Sequence, residues 1–195
     1  KSAALRPGLV SDSARPVRPR RKSSRRQERI PMIRSFHHVA LATRDLDRLC
    51  DFYIAHFGFA AGPTFGWQVG QGPVADLLMG LQGSGAEVRL LTRDDICLEL
   101  FRFDAPLPSP PVAERGLHET GVSHLCFVTD DIAADHARLT AAGCRFYSEP
   151  QDRIHHRIAY LRDPDGNAIE LLEILSDPHP FGWVRPEKRR EPGWE

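Results

Sequence analysis

Two stretches of the chain read alike, and this repeat restricts the fold more than any other feature. Phe36-His-His-Val-Ala-Leu-Ala-Thr-Arg-Asp45 and Val122-Ser-His-Leu-Cys-Phe-Val-Thr-Asp-Asp131 each set a histidine two to three residues into an apolar strand. In each, the aspartate that caps a following helix comes seven residues after that histidine. The interval from His38 to His124 is 86 residues, and that from Asp45 to Asp131 is again 86. Each copy closes on an apolar strand carrying a glutamate, Ile96-Cys-Leu-Glu99-Leu-Phe and Ala168-Ile-Glu170-Leu-Leu. A repeat that supplies one histidine and one glutamate per copy can build a four-ligand metal site between the copies.

The first copy begins with a strand near 36–43. Asp45 then caps a helix to about His56, with Leu46, Leu49, Phe52, Tyr53 and Phe57 as its apolar stripe and Gly58 as its stop. A Gly-rich excursion from Gly62 to Gly85 follows, carrying Phe65 and Trp67 as candidate pocket-lining rings. Strands near Glu87–Thr92 and Ile96–Phe103 complete the copy, turning at Arg93-Asp94-Asp95. Pro106, Pro108, Pro110 and Pro111 make 104–120 a linker. The second copy repeats the order: strand 121–129, helix 131–142 stopped at Gly143, strands 144–148 and 156–162, a turn at Asp163-Pro-Asp-Gly166, and strand 167–174. The interval from Glu99 to Glu170 is only 71 residues, so the first copy carries extra length, which we place in the 62–85 excursion.

Charge is split along the chain. Residues 1–30 hold ten Lys/Arg against Asp12 and Glu28, and the remainder holds sixteen against twenty-four acids. The Ser- and Pro-rich basic tail, 1–33, is expected to be disordered, with an organelle-targeting segment as an alternative. No aromatic residues interleave with its basic cluster, so nucleic-acid binding is disfavoured. No run approaches the length of a membrane span. Cys50, Cys97, Cys126 and Cys144 form no CxxC pair, and buried free thiols in a reducing, cytoplasmic compartment are expected. The segment after Ser176, with four prolines, reads as an irregular C-terminal tail, 176–195.

Strand side chains alternate, so His38 shares a face with Ala40 and Ala42, and Glu99 with Cys97 and Phe101. A carboxylate between Leu98 and Leu100, or between Ile169 and Leu171, is costly to bury uncompensated. Taken singly, each His or Glu has a structural explanation. The recurrence of the same two residue types in both copies favours a shared divalent transition metal site at His38, Glu99, His124 and Glu170, with Ni, Co, Zn, Mn or Fe all compatible. His37 points to the opposite face and is a poorer choice.

At these residues the chain resembles the vicinal oxygen chelate superfamily, the glyoxalase, bleomycin resistance and extradiol dioxygenase group. The matching motifs are His38-Val-Ala-Leu with Asp45-Leu and Phe52-Tyr53…Phe57-Gly58-Phe59, then Gly121-Val-Ser-His124, and Asp163-Pro-Asp-Gly-Asn-Ala-Ile-Glu170-Leu. The resemblance covers 34–175, divided into module one at 34–103, the 104–120 linker and module two at 121–175. It implies an α+β fold of two paired βαβββ modules forming a curved mixed sheet around a metal, with the four residues at the ligand positions. It also implies a small-molecule substrate and permits a homodimer.

The chemistry expected first is that of a lyase or isomerase of glyoxalase I or methylmalonyl-CoA epimerase type. A metal polarises a carbonyl while Glu170 or Glu99 removes the adjacent proton. Fe(II) extradiol-type dioxygenase chemistry at His38, His124 and Glu170, with Tyr160, comes second. The short spacing from His155 and His156 to Tyr160 departs from that signature, and Glu99 crowds the coordination. A non-catalytic small-molecule or antibiotic binder is the third class. Phe101-Arg-Phe-Asp104 stands where glyoxalase I carries a Thr-x-Asn element that helps bind glutathione. Arg102, Arg157 and Arg162 are candidate partners for an anionic group, with salt bridging or solvation the stronger expectation for each.

Overall fold

A computed structural model describes residues 35–108 and 115–176. The basic tail and the C-terminal tail after Ser176 lie outside the described residues. The first repeat copy gives β1 (Val39–Thr43), α1 (Leu46–Phe57), β2 (Ala60–Trp67), α2 (Pro73–Met79), β3 (Gly85–Arg93) and β4 (Ile96–Ala105). The second gives β5 (Leu125–Thr129), α3 (Ile132–Ala141), β6 (Gln151–Asp152), β7 (His156–Arg162) and β8 (Ala168–Ile174). Two four-stranded mixed sheets result, ordered β1-β4-β3-β2 and β5-β8-β7-β6, and both are open. In each, the first and last strands pair in parallel and the remaining neighbours are antiparallel. This is the βαβββ arrangement that the repeat predicts.

Local chemistry accounts for the element boundaries. The Asp45 carboxylate accepts the N–H of Arg48 at 3.1 Å and Asp131 accepts that of Ala134 at 2.9 Å, so each aspartate caps its helix. Gly58 ends α1 in the left-handed region (φ 67°), where a side chain would be strained. Leu46, Leu49, Tyr53 and Phe57 bury their stripe against Leu91, Leu98 and Leu100 of the first sheet. Ile132 and Leu139 of α3 join Leu161, Ile169 and Leu171 in the same continuous core.

The structure departs from the sequence reading in four places. The 62–85 excursion is not a loop throughout: it contains most of β2 and the seven-residue α2. Gly85 allows the returning chain to pass, since a Cβ there would lie 2.6 Å from the Val69 nitrogen. Residues 144–148 form no strand; only Phe146 bridges to Leu161, and the edge strand is the two-residue β6. His38 and His124 stand immediately before β1 and β5 rather than inside them. Of the cysteines only Cys50 is buried, and Cys126 is exposed.

Contacts between the modules fix their relative direction. Arg48, at the start of α1, reaches Asp165 in the turn before β8 at 2.5 Å. Tyr53 donates to Asp163 in that turn at 3.0 Å. At the other end of α1, Phe57 packs on Phe127 of β5 with ring centroids 4.8 Å apart, and the His56 carbonyl accepts from Arg138 at 3.0 Å. The end of β1 therefore lies by the start of β5, and the start of β1 toward the end of β5. No helix among the described residues is long and apolar enough to cross a membrane.

Candidate metal centre

The four sequence-predicted ligands meet as two pairs, one per module. His38 Nε2 lies 3.1 Å from Glu99 Oε2, and His124 Nε2 lies 2.8 Å from Glu170 Oε2. Parallel pairing of each module's first and last strands produces both contacts: Ala40 is in register with Glu99, and Cys126 with Glu170. Each glutamate points away from the helix-covered face, because its neighbours Leu98, Leu100, Ile169 and Leu171 are the residues that enter the core. In both pairs an imidazole nitrogen and a carboxylate oxygen converge on one point. Two lone-pair donors at that separation require a proton or a cation between them, so this donor set fits a divalent transition ion.

The pairs are not equivalent. Tyr160, opposite Glu170 on β7, donates its hydroxyl to the same Oε2 at 2.6 Å. The residue opposite Glu99 is Leu90, which cannot do this. Burial, followed by that hydrogen bond, raises the Tyr160 pKa, so the phenol remains a donor. Its ring also stands edge-on to His124, with centroids 5.4 Å apart. The His124 Nδ1 lies 3.1 Å from the Ser123 hydroxyl, and His38 Nδ1 lies 2.9 Å from His37 Nδ1. His37 is thus a neighbour of the first pair, not a replacement for it.

The two pairs do not come together within one chain. Among the described residues, no group of three or more His, Cys, Asp or Glu side chains lies within reach of one metal ion. The module contacts explain this: His38 precedes the start of β1 and His124 precedes the start of β5, and these starts are at opposite ends of the interface. A cavity of about 360 Å³ opens between the β1 edge and the start of β5, lined by Ala40, Arg44, Arg115, His124 and Arg162 among others. The arginines singled out from sequence already have protein partners. Arg102 pairs with Glu87 and Asp104 (3.2 and 3.4 Å), Arg157 with Asp152 (2.6 Å), and Arg162 donates to the Gly166 and Arg115 carbonyls (2.6 Å each).

The fold agrees with comparisons against known proteins. A family model described as the Glyoxalase/Bleomycin resistance protein/Dioxygenase superfamily matches residues 35–171. The chain belongs to this superfamily. Over 141 residues it is 28% identical to a lactoylglutathione lyase of Schizosaccharomyces pombe, covering 70% of this chain and 46% of the relative. The chain thus spans less than half the length of that enzyme. A glyoxalase family protein from Bacillus cereus superposes with a TM-score of 0.64 at 23% identity, covering 72% of this chain and 94% of its own. TnmS3, an antibiotic-binding protein from Streptomyces sp. CB03234, superposes with a TM-score of 0.50 at 23% identity, covering 73% and 98%. At those identities the two structures speak for the shared fold alone.

Sequence reasoning missed two features of this superfamily member. One is the Tyr160 bond to Glu170, although Tyr160 itself was singled out for another reaction. The other is the row of rings continuing from Glu99 along β4 and onto β2. The alternation in Phe101-Arg-Phe103 was its available signal.

Proposed function

We propose that the protein is a divalent-metal-dependent lyase or isomerase of glyoxalase or epimerase type, holding its metal with His38, Glu99, His124 and Glu170. The observation that carries this reading is the occurrence of the same converging His–Glu pair in both modules. Because the pairs sit at opposite ends of the module interface, the complete site is assigned to a homodimer, in which the first pair of one chain meets the second pair of its partner. A divalent cation bound there supplies Lewis-acid stabilisation of the oxyanion or enolate that forms when a proton leaves the carbon beside a carbonyl.

The chain's own residues divide the remaining work. Tyr160 holds Glu170 in place by donating its hydroxyl to the carboxylate. Glu99 is paired with His38 alone among the described residues, and its carboxylate is the freer of the two to take the proton.

Metal analysis combined with α-proton exchange in D₂O tests the reading, using a hemithioacetal and 2-substituted acyl thioesters as candidates. Bound metal and exchange that vanishes in Glu99→Gln support it. Exchange that survives Glu99→Gln but vanishes in Glu170→Gln reverses the two carboxylates. Unchanged metal content in both His38→Ala and His124→Ala removes the site assignment altogether. Oxygen consumption with a catechol and Fe(II), without proton exchange, replaces the lyase reading with the dioxygenase one.

A further inference from the structure

The face of the first sheet that carries Glu99 is aromatic for most of its length. Side-chain alternation sets Glu99, Phe101 and Phe103 in a row along β4, and the register places Val88 beside Phe101 and Phe65 beside Val88. Phe101 and Phe103 lie parallel, with an interplanar angle of 8° and centroids 5.4 Å apart. Trp67 stands edge-on to Phe103 at 6.4 Å. Helix α1 covers the opposite face, so these rings are not part of the core, and Phe65 is 48% exposed.

This surface is fixed in place. The Trp67 indole N–H donates to the Ser84 hydroxyl at 2.9 Å, and the Ser84 backbone N–H is in turn held by Asp76 at 3.0 Å. It also lacks positive charge. The arginines of β3 and β4 alternate to the other face, where Arg89 binds Asp47 (2.6 Å), Arg93 donates to the Phe57 carbonyl (2.6 Å) and Arg102 binds Glu87 (3.2 Å). A rigid row of partly exposed rings loses free energy to water unless something flat covers it, and ring faces favour stacked or edge-on aromatic partners over aliphatic ones of equal area.

We propose that Phe65, Trp67, Phe101 and Phe103 form the seat for a planar, apolar group of the substrate, placing the carbon next to that group over Glu99. The substrate class is an aryl-substituted or similarly flat carbonyl compound, not one recognised through anionic groups on this side of the site. This inference rests on the proposed reaction for its account of why the row begins at Glu99. Binding at the row can nevertheless be measured with no metal present.

The full chain, stripped of metal, is titrated with 2-naphthol and with its saturated counterpart decahydro-2-naphthol, and binding is followed by chemical-shift changes of the aromatic side chains. Naphthol is expected to bind about tenfold more tightly than the saturated alcohol. Phe103→Leu and Phe101→Leu, which keep apolar bulk but lose the ring, are expected to weaken naphthol about tenfold. Phe65→Ser, at the exposed end of the row, tests the same seat without disturbing the core. Metal content after reloading should match the wild type in all three. Equal binding of the two probes, unweakened naphthol binding in these variants, or a changed oligomeric state in Phe103→Leu each overturns the proposal, the last because the row would then cover a second copy. Loss of the proton-exchange reaction with naphthol binding intact would count against the catalytic reading alone.

Discussion

The bond from Tyr53 to Asp163 joins the first module's helix to the second module's β7–β8 turn, and its removal should be measurable in isolation. Tyr53 is fully buried and its hydroxyl donates to Asp163 Oδ2 at 3.0 Å. The same carboxylate accepts the N–H groups of Asp165 and Asn167 at 2.9 and 2.8 Å and the Asn167 side-chain amide at 2.8 Å. Tyr53→Phe keeps the ring and removes one charge-assisted bond, leaving Oδ2 with Asn167; the cost is about 1–2 kcal/mol. Asp163→Ala leaves the buried phenol and two turn N–H groups without an acceptor, and should cost about 3–5 kcal/mol. Urea unfolding of the two single variants and the double variant closes a cycle whose coupling should be about 1–2 kcal/mol. A Tyr53→Phe change below about 0.5 kcal/mol, or additive single effects, would show that the bond does not couple the modules.

Burial raises the Asp163 pKa, so the folded state holds this proton more tightly than the unfolded chain. Wild-type stability relative to Asp163→Asn should therefore be greatest below the unfolded carboxylate pKa of about 3.9 and decline as pH rises from there through the raised folded value. Urea midpoints of both proteins across that range would show it. Arg48→Ala should cost about 1 kcal/mol, because Arg48 is half exposed while Asp165 is only 7% exposed; the loss should shrink at high salt in thermal unfolding. Leu98→Ala should cost about 2–4 kcal/mol in chemical denaturation. Leu77→Ala in α2, where Leu77 is 82% exposed, should change stability by less than about 0.5 kcal/mol.

The βαβββ order was legible because its determinants are local: Asp45 and Asp131 at the helix starts, Gly58 at a helix stop, and strands of strongly apolar character. The miss at 144–148 has an equally local cause. Glu149-Pro150 follows directly, and proline offers no N–H for a ladder, so pairing is reduced to the bridge at Phe146. In β2 the pattern was diluted by Gly62, Pro63 and Gly66, yet β3 supplies a pairing partner. As an edge strand β2 tolerates Pro63, with a register shift between Ala61 and Thr64. The His–Glu pairing within each module followed from strand order. The placement of one pair against the other did not, because it depends on Tyr53, Arg48, Phe57 and their distant partners, none of which carries a sequence mark of that role.

The separation of the two pairs makes the dimeric site open to a decisive mixing experiment. A twofold dimer is self-complementary, so if one chain's first pair meets its partner's second pair, the reverse contact must form as well and two identical sites result. Chains carrying His38→Ala and chains carrying His124→Ala would each form dimers in which both sites lack one histidine. In a mixed dimer the two lesions fall in the same site and the other site is whole. Random reassembly of equal amounts should therefore restore about a quarter of all sites to full metal affinity, read as high-affinity metal stoichiometry after equilibrium dialysis. A site assembled inside one chain would regain nothing on mixing, since every chain would keep its own lesion. Recovery near zero with reassembly shown to have occurred would thus refute the dimeric site while leaving the two His–Glu pairs as they are.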